Sequence, residues 1–217
     1  MKRADCLEFL ASCLPEHALV ATSLSVNTAL WSQLRPRGPN FAGLNMGLCT
    51  PFALGMSLAF PNQQVVALDS DGSLMIDTSA LITVADARPK NLLVICFDNE
   101  YYARMGPTPT SRGVNLELMA QGAGFRDTYA VRNLEAFQAA TRSTLDGDGP
   151  SFIWAKVERE RTRILGTRHT YGQAMRAAFV DALHRHPDYP GQGQEMRTLP
   201  THARAEILTA ASSDVDR

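Results

Sequence analysis

The chain has 217 residues, of which 45% are hydrophobic and 20% are charged, and its formal net charge is −1 at pH 7. This length and composition are typical of one large globular α/β domain with a hydrophobic core. A net charge so close to zero excludes the strongly basic surface that attracts nucleic acid or acidic lipid. The sequence has no apolar run long enough to span a membrane and no secretory segment at its start. We therefore expect a cytoplasmic protein with no nucleic-acid partner and no membrane partner.

The predicted elements alternate between helices and short apolar strands. Helices are predicted over 4–14, 22–34, 51–60, 74–87, 116–121, 134–145 and 171–186. Strands are predicted over 18–21, 65–68, 91–97, 128–131 and 151–157. This alternation is typical of a doubly wound, mainly parallel sheet with helices on both faces. We expect the domain to cover 1–186 and expect 187–217 to be a flexible tail, because proline, glycine and glutamine dominate there.

The four cysteines are far apart and form no Cys-x-x-Cys pair. Closely spaced cysteines are the usual signature of zinc and iron–sulfur sites, so neither site is expected. The cysteines are predicted to be small buried thiols: Cys6, Cys13, Cys49 and Cys96.

Two of the apolar strands, 65–68 and 91–97, end in polar residues. The first is followed by Asp71 and the second by Asn99, which lies 28 positions further along the chain. One crossover helix fits between them, so the two strand ends can be neighbours in a parallel sheet. Open α/β sheets bind ligands at the carboxyl ends of their strands. A carboxylate beside an amide oxygen suits a hard divalent cation such as Mg²⁺.

The residues after Asp71 are suited to an anion. Gly72 lets the backbone approach a ligand closely, and a helix that begins near Ser73 turns its free N–H groups outward. The residues alone therefore predict a magnesium-bridged diphosphate. The alternative is an ordinary strand–helix turn in which Asp71 and Ser73 only cap the helix, and the local pattern leaves both interpretations open.

Three further features lie outside these two tips. Loop 98–113 is unusually long, and long loops in compact domains are often functional. At the end of the first strand, Ser23 and Ser25 are interpreted from the residues alone as caps of the next helix. The basic run from Arg159 to residue 163 is interpreted as a solvated charged face, with anion binding as the alternative.

The order Asp71-Gly72-Ser73, then Asp98-Asn99, resembles the signature of thiamine-diphosphate-dependent enzymes. The similarity continues at 45–47, 53–59, 89–92, 98–102 and 106–110. Over roughly 3–185 the chain looks like the β subunit of sulfopyruvate decarboxylase and the carboxyl half of phosphonopyruvate decarboxylase. The resemblance implies the diphosphate-binding, or PP-type, domain of these enzymes.

The resemblance also implies roles for residues that hold the cofactor. Mg²⁺ would be bound by Asp71, Asn99 and the backbone carbonyl of Tyr101. The diphosphate would be bound by Ser25, with Ser23 second, and by Gly72 and Ser73, with Tyr102 packed nearby.

Other residues would act on the rings of thiamine diphosphate or on the substrate. Met46 would wedge between the two rings and force the bent shape that places the exocyclic amine beside the reactive carbon. The carbonyl of Leu44 would accept a hydrogen bond from that amine. Arg104 would contact an anionic tail of the substrate, because a guanidinium matches sulfonate, phosphonate or carboxylate oxygens; an exposed loop arginine is the alternative.

Three departures from the family pattern involve four residues. Ser70 stands where a glycine is usual, and a serine would be tolerated poorly there if the turn required a positive φ. Arg104 and Met105 replace smaller residues, and Thr108 replaces a common glutamine. The metal residues persist while the loop that faces the substrate has changed, so the exact substrate stays open.

The resemblance covers only one of the two domains between which thiamine enzymes hold their cofactor. We therefore expect one subunit of a hetero-oligomer built on dimers, with the activating glutamate on a separate pyrimidine-binding α subunit. The expected activity is non-oxidative decarboxylation of a 2-oxo acid, with thiamine diphosphate and Mg²⁺. The alternatives are a carboligase of the acetolactate synthase type and a non-catalytic subunit of the same fold.

Overall fold

The computed structural model of the chain describes residues 1–24, 26–103, 105–159 and 172–189. The main sheet has six strands, all parallel, in the order β2-β1-β3-β4-β8-β7. These strands are β1 (Leu19–Ser23), β2 (Asn40–Leu44), β3 (Val65–Ser70), β4 (Leu92–Asp98), β7 (Asp127–Val131) and β8 (Ser151–Lys156). A short hairpin pairs β5 (Tyr101–Tyr102) with β6 (Gly106–Pro107). The prediction of a doubly wound parallel sheet is confirmed.

Helices cover both faces of this sheet. One face carries α3 (Cys49–Ala59), α5 (Ser79–Ala87), α6 (Leu116–Ala123) and α8 (Gly172–His184). The other carries α1 (Arg3–Cys13), α2 (Val26–Leu34) and α7 (Leu134–Asp146). Two shorter elements, α4 (Asp71–Leu74) and a 3₁₀ turn (Pro109–Arg112), lie at the carboxyl end of the sheet.

The central strands are buried on both sides, as their continuous apolar runs predict. Val65 and Ala67 join the core under α3 and α5, whereas Val66 and Leu68 join the core under α1 and α7. Side chains alternate between the two cores because successive Cβ atoms of a strand point to opposite faces. The sheet is therefore fixed from both sides, and its carboxyl edge is a rigid base for the residues that follow each strand.

Two parts of the predicted organisation differ from the structure. Segment 40–44 forms β2, a partly exposed edge strand that pairs with β1, although the sequence there has no long apolar run. The single helix predicted over 74–87 is wrong at its start, because the chain turns between α4 and α5. Asp77 accepts a hydrogen bond from the hydroxyl of Ser79 at that turn. Such a local side-chain bond competes with continued helix.

The carboxyl-terminal prediction is tested only in part. The helix predicted over 171–186 corresponds to α8, and its Phe179 packs edge-on against Phe41. The predicted tail, 187–217, lies outside the described residues from residue 190 onward. Among the helices that the structure describes, none combines the length and apolarity needed to cross a bilayer.

Asn27 links α2 to the end of β3. Its amide nitrogen donates to the carbonyls of Leu68 (3.0 Å) and Asp69 (2.9 Å) and to the hydroxyl of Ser23 (3.1 Å). Its amide oxygen accepts from the Arg3 guanidinium at 2.5 Å. Because Asn27 is buried, it and not water provides the hydrogen bonds to these groups.

We predict that Asn27→Ala lowers the free energy of unfolding by about 1–3 kcal/mol, because several buried polar groups lose a partner at once. Urea unfolding followed by circular dichroism measures the change. Asn62→Ala, at an exposed turn, is the matched control and should shift stability by less than about 0.5 kcal/mol. Equal effects of the two substitutions would contradict this role for Asn27.

Candidate functional site

The polar ends of β3 and β4 meet at the carboxyl edge of the sheet. The two strands run in register up to Ser70 and Phe97, and the side chains of the next residues, Asp71 and Asp98, hydrogen-bond to each other. Asn99 is the next residue beyond Asp98 on that edge. The structure therefore brings together the two strand tips that the sequence predicts to be neighbours.

Asp71 and Asp98 are both buried, and they carry different charges. Burial raises the pKa of the Asp71 carboxyl to about 7, and the charge of neighbouring Asp98 adds to that shift. Burial also acts to raise the pKa of Asp98, but hydrogen bonds from Lys156, from Asp71 and from the N–H of Glu100 outweigh it and hold the pKa below its ordinary value. Near neutral pH, Asp98 is therefore the charged partner and Asp71 retains a proton for part of the time.

Asp98 is the centre of a buried polar network. One of its oxygens accepts from the indole N–H of Trp154 at 2.8 Å and from Lys156 at 2.9 Å. The other accepts from the hydroxyl of Thr110 at 2.9 Å and from the N–H of Glu100 at 2.8 Å. These partners come from β8 and from the loop after β4, so Asp98 fixes the loop to the sheet.

This role of Asp98, Trp154 and Lys156 is not predicted from the sequence. The signal for this contact in the sequence is that Asp98 and Lys156 carry opposite charges and that each ends an apolar strand. They pair because β8 lies beside β4 with Asp98 in register with Lys156. Neither segment on its own predicts the strand order that makes the two residues neighbours.

The loop after β4 is also bound to Asp71. Thr108 donates its hydroxyl proton to Asp71 at 2.8 Å and lies 2.8 Å from the hydroxyl of Thr110, which in turn donates to Asp98. Thr108 is fully buried. A chain of hydroxyl groups thus spans the two carboxylates, and Thr108, a departure from the family pattern, is the residue that contacts Asp71.

The same loop contains a residue in a disfavoured backbone conformation. Glu100 has a backbone φ of +61°, which residues other than glycine and asparagine rarely adopt. This conformation costs of the order of 1 kcal/mol. Its carbonyl accepts from the N–H of Thr108 at 3.0 Å, and its carboxylate pairs with Lys156 at 2.5 Å. The neighbouring turn is set by Asn99, whose amide oxygen accepts from the N–H of Tyr101 at 3.1 Å.

Gly72 is required by the close approach of Tyr102. A Cβ added at Gly72 would lie 2.5 Å from the Tyr102 ring, so a side chain there would displace the ring. Ser70, by contrast, has φ −131° and ψ 158°, an extended conformation that serine adopts without strain. The replacement of the usual glycine by Ser70 is therefore compatible with this turn.

The hydroxyl of Ser73 is used inside the protein. It accepts from the N–H of Gly47 at 3.2 Å and hydrogen-bonds to Asp69. Asp69 is fully buried, which raises the pKa of its carboxyl, while hydrogen bonds from Ser73, Ser70 and Thr50 oppose that rise. Ser73 therefore connects Gly47, next to Met46, to the carboxyl end of β3, and its hydroxyl is engaged within the protein.

Met46 and Leu44 lie at the same edge. The Met46 side chain is 38% exposed, which is compatible with contact to a ligand but does not assign one. Leu44 is buried, and its carbonyl accepts from the N–H of Leu24 at 2.9 Å. A carbonyl oxygen has two lone pairs, so Leu44 can still accept a second hydrogen bond.

The hydroxyl of Ser23 is not free to bind the diphosphate, as the resemblance implies it would. Ser23 belongs to β1, and its hydroxyl donates to the carbonyl of Leu68 at 3.2 Å and accepts from Asn27. It is almost fully buried, so its polar contacts are satisfied within the protein. Ser25 and Arg104 lie outside the described residues.

Tyr101 and Tyr102 form the first strand of the β5–β6 hairpin. The guanidinium of Arg159 stacks on the Tyr101 ring, 3.3 Å from its centroid. This contact places a positive charge at the hairpin. Arg159 belongs to the basic run that the sequence analysis interpreted mainly as a solvated face.

The donor set at the two strand tips suits a hard cation. Asp71 supplies a buried carboxylate with a raised pKa. The amide oxygen of Asn99 and backbone carbonyls of the loop after β4 are the neighbouring neutral oxygen donors. Mg²⁺ prefers a small number of carboxylates combined with neutral oxygens and phosphate. A divalent cation would also offset the repulsion between Asp71 and Asp98, so the residues fit the metal that the sequence predicts.

Comparison with known proteins assigns the chain to a family. Residues 26–155 match the family model described as "Thiamine pyrophosphate enzyme, C-terminal TPP binding domain". The chain is also similar to the benzoylformate decarboxylase of Polynucleobacter necessarius, whose crystal structure aligns with a TM-score of 0.65 at 19% identity. That alignment covers 75% of this chain and 34% of the other, and it supports the fold alone.

Two curated relatives differ in how much of them the chain covers. It is 28% identical over 159 residues to the sulfopyruvate decarboxylase subunit beta of Methanocaldococcus jannaschii, covering 72% of this chain and 84% of that subunit. It is 30% identical over 166 residues to the phosphonopyruvate decarboxylase of Streptomyces hygroscopicus, covering 76% of this chain and 41% of that protein. The chain thus spans most of the first relative and less than half of the second.

We predict that Asp71→Asn stabilises the ligand-free chain at pH 8. Because the folded-state pKa of Asp71 lies above its unfolded value of about 3.9, its contribution to stability is complete below pH 4 and is lost as pH rises toward 7. The charged carboxylate then costs of the order of 1–4 kcal/mol, which asparagine removes. Thermal unfolding should show a gain of several degrees that grows between pH 5.5 and 8.

The matched control is Asp86→Asn, on the exposed side of α5. It should show no gain that grows over the same pH range. If Asp71→Asn destabilised the chain at pH 8 as much as at pH 5.5, the repulsion between the two carboxylates would be disproved.

We also predict that Thr108→Val loosens the loop after β4. Valine keeps the shape of threonine but removes the O–H that binds Asp71, and the loss of a buried hydrogen bond costs about 1–3 kcal/mol. Hydrogen–deuterium exchange in peptides from 99–113 should be about tenfold faster or more. Thr83→Val, exposed on α5, is the control; unchanged exchange in the Thr108 variant would show that Thr108 does not fix the loop.

Proposed function

Because the chain belongs to the thiamine pyrophosphate enzyme family, we propose that it is the diphosphate-binding subunit of a thiamine-diphosphate- and Mg²⁺-dependent decarboxylase. The reaction is non-oxidative loss of CO₂ from a 2-oxo acid. The observation that carries this proposal is the position of buried Asp71 at a strand tip directly opposite the tip that ends in Asp98 and Asn99.

The proposed metal ligands are Asp71, Asn99 and the carbonyl of Tyr101. Deprotonated Asp71 gives the cation its negative charge, while Asp98 stays paired with Lys156 and holds the loop that carries Asn99. Lys156 is thereby kept from competing with the metal for Asp71. Thr108 orients the Asp71 carboxylate through its hydrogen bond.

The diphosphate is proposed to lie beside Gly72 and Ser73, with their backbone N–H groups as its donors. In the ligand-free chain the Gly72 N–H hydrogen-bonds to Asp71 and the Tyr102 ring packs over Gly72, so this proposal requires both contacts to give way to the ligand. Ser25 is a further proposed ligand. Met46 is proposed to separate the cofactor rings and the Leu44 carbonyl to accept from the exocyclic amine. When bound, thiamine diphosphate supplies the nucleophilic carbon and accepts the electrons left by CO₂.

The substrate is proposed to carry an anionic tail, as sulfopyruvate and phosphonopyruvate do. Arg104 is the sequence-based candidate to bind it. Arg159 supports the same preference from a described position, because its guanidinium stacks on Tyr101 beside the metal residues. A fixed guanidinium presents paired N–H donors to sulfonate, phosphonate or carboxylate oxygens.

A separate pyrimidine-binding subunit is proposed to complete the site and to supply the activating glutamate. The chain covers 84% of a relative named as a subunit beta but only 41% of the phosphonopyruvate decarboxylase, which supports a division of the enzyme between two polypeptides. The free cysteines of the described residues, three of them buried, favour a reducing compartment such as the cytoplasm.

Binding tests this proposal without any assumption about the substrate. Thermal unfolding of the chain, alone and with its pyrimidine-binding subunit, is measured with Mg²⁺ plus thiamine diphosphate and with Mg²⁺ plus thiamine monophosphate. Only the diphosphate should raise the unfolding temperature, by the equivalent of about 2.7 kcal/mol at a hundred times its Kd. Asp71→Ala should keep the fold and lose this response.

A full response in the Asp71→Ala variant would remove Asp71 from the metal site. A missing response in the wild-type complex would favour a non-catalytic subunit. The backbone at Ser70 does not itself favour that alternative, because it is extended and accommodates serine. CO₂ release from a series of 2-oxo acids, with and without an acceptor aldehyde, separates a decarboxylase from a carboligase.

A further inference from the structure

A cleft of about 430 Å³ lies at the amino edge of the sheet, between the segment before β1, the loop from α2 to β2 and the end of α8. Because the strands of the main sheet are parallel, residues that precede β1 and β2 lie at the edge away from Asp71. The cleft is therefore separate from the candidate site. Five of its lining residues also lie outside the family match over 26–155: Glu16, His17, Ala182, Arg185 and His186.

His186 holds the wall of the cleft that is formed by the end of α8. Its ring is buried, and Nδ1 accepts from the N–H of Asp188 at 3.2 Å. The ring proton is therefore on Nε2, which donates to the carbonyl of His17 at 3.1 Å. The same ring packs edge-on against Phe60, at the end of α3. These contacts fix the end of α8 to the rest of the domain, so the cleft is formed in the absence of a ligand.

The lining of the cleft carries more positive than negative charge. It contains three guanidinium groups, those of Arg35, Arg37 and Arg185, and one carboxylate, that of Glu16. Arg185 is paired with Asp181 on the preceding helical turn. Within the described residues, neither Arg35 nor Arg37 forms an ion pair. The chain as a whole has a net charge of −1, so this positive charge is a local feature.

Arg35 is held in place without being neutralised. Its Nη2 donates to the carbonyls of Pro15 at 2.8 Å and Glu16 at 2.7 Å, and the guanidinium lies over the Trp31 ring, 6.0 Å from its centroid. Its Nη1 is enclosed and has no hydrogen-bond partner among the described residues. Burial lowers the pKa of this guanidinium, although the charge of Glu16 opposes that shift. An anion in the cleft would supply the acceptor oxygens and the negative charge that Arg35 lacks.

We propose that this cleft binds a small phosphorylated organic molecule whose phosphate is held by Arg35 and Arg37. Guanidinium groups present paired N–H donors that match phosphate oxygens. The volume lies in the range of small-molecule sites, about 300–1,000 Å³, and is larger than a phosphate ion alone requires. The remaining walls carry apolar side chains that can contact the organic part of the ligand: Leu34, Pro36, Pro39 and Ala182.

Isothermal titration calorimetry of the full chain in the absence of Mg²⁺ tests this site. The probes are three phosphate esters (adenosine 5′-monophosphate, glucose 6-phosphate and 3-phosphoglycerate), their unphosphorylated counterparts and inorganic phosphate. At least one ester should bind with a Kd below about 1 mM. Its unphosphorylated counterpart and inorganic phosphate should each bind about tenfold more weakly or less, because each makes only part of the contacts.

Arg37→Gln, at an exposed position, should weaken binding of that ester by about tenfold or more with unchanged circular dichroism, because it removes a charged hydrogen-bond donor. Arg132→Gln, at an exposed position after β7, is the matched control and should bind like the wild type. Asp71→Ala should also bind the ester like the wild type, so the result does not depend on the proposed cofactor site.

Four outcomes would overturn the proposal. The first is that none of the three esters binds with a Kd below about 1 mM. The second is that Arg37→Gln and Arg132→Gln have equal effects. The third is that inorganic phosphate binds as tightly as the esters, which would rule out an organic ligand. The fourth is that Asp71→Ala abolishes ester binding, which would place the ester at the other edge of the sheet.

Discussion

Lys156 determines which of two neighbouring carboxylates keeps its charge. It pairs with Asp98, and the indole of Trp154 donates to the same carboxylate, so Asp98 is a stable buried anion. Asp71 lies opposite and receives a hydroxyl from Thr108, but no described lysine or arginine forms an ion pair with it. Within the described residues, one buried carboxylate is thus paired with a cation, whereas the other, the proposed metal ligand, is not. The geometry of the loop after β4 depends on this division.

The core of this arrangement could be predicted from the sequence. The apolar runs before Asp71 and Asn99 identify two buried parallel strands, and their spacing leaves room for a single crossover, so both tips fall on one edge of the sheet. Local pattern is sufficient here because burial on both faces makes each strand a continuous apolar run. The edge strand β2 lacks such a run, since it is paired on one side only, and the sequence pattern therefore missed it.

The remainder of the site depends on contacts that no local pattern specifies. Asp98 meets Lys156 because β8 inserts beside β4 ahead of β7, and that strand order is a property of the whole sheet. Ser23 illustrates the opposite error. A serine after a short strand resembles a phosphate ligand or a helix cap, yet two more residues of strand place Ser23 in β1, with its hydroxyl bonded to Leu68 and Asn27. Its role changed with a strand boundary that moved by two residues, and such boundaries are the least certain part of any prediction from sequence.

The unfavourable state of Asp71 links folding to ligand binding. Whatever free energy the charged carboxylate costs the ligand-free chain near neutral pH is recovered when a cation binds, so that cost appears as affinity. Replacing Asp71 to gain stability would remove the proposed metal ligand, which is the usual conflict between stability and function at a binding site. The same carboxylate is therefore predicted to make the ligand-free chain less stable near neutral pH and to favour the binding of a cation there.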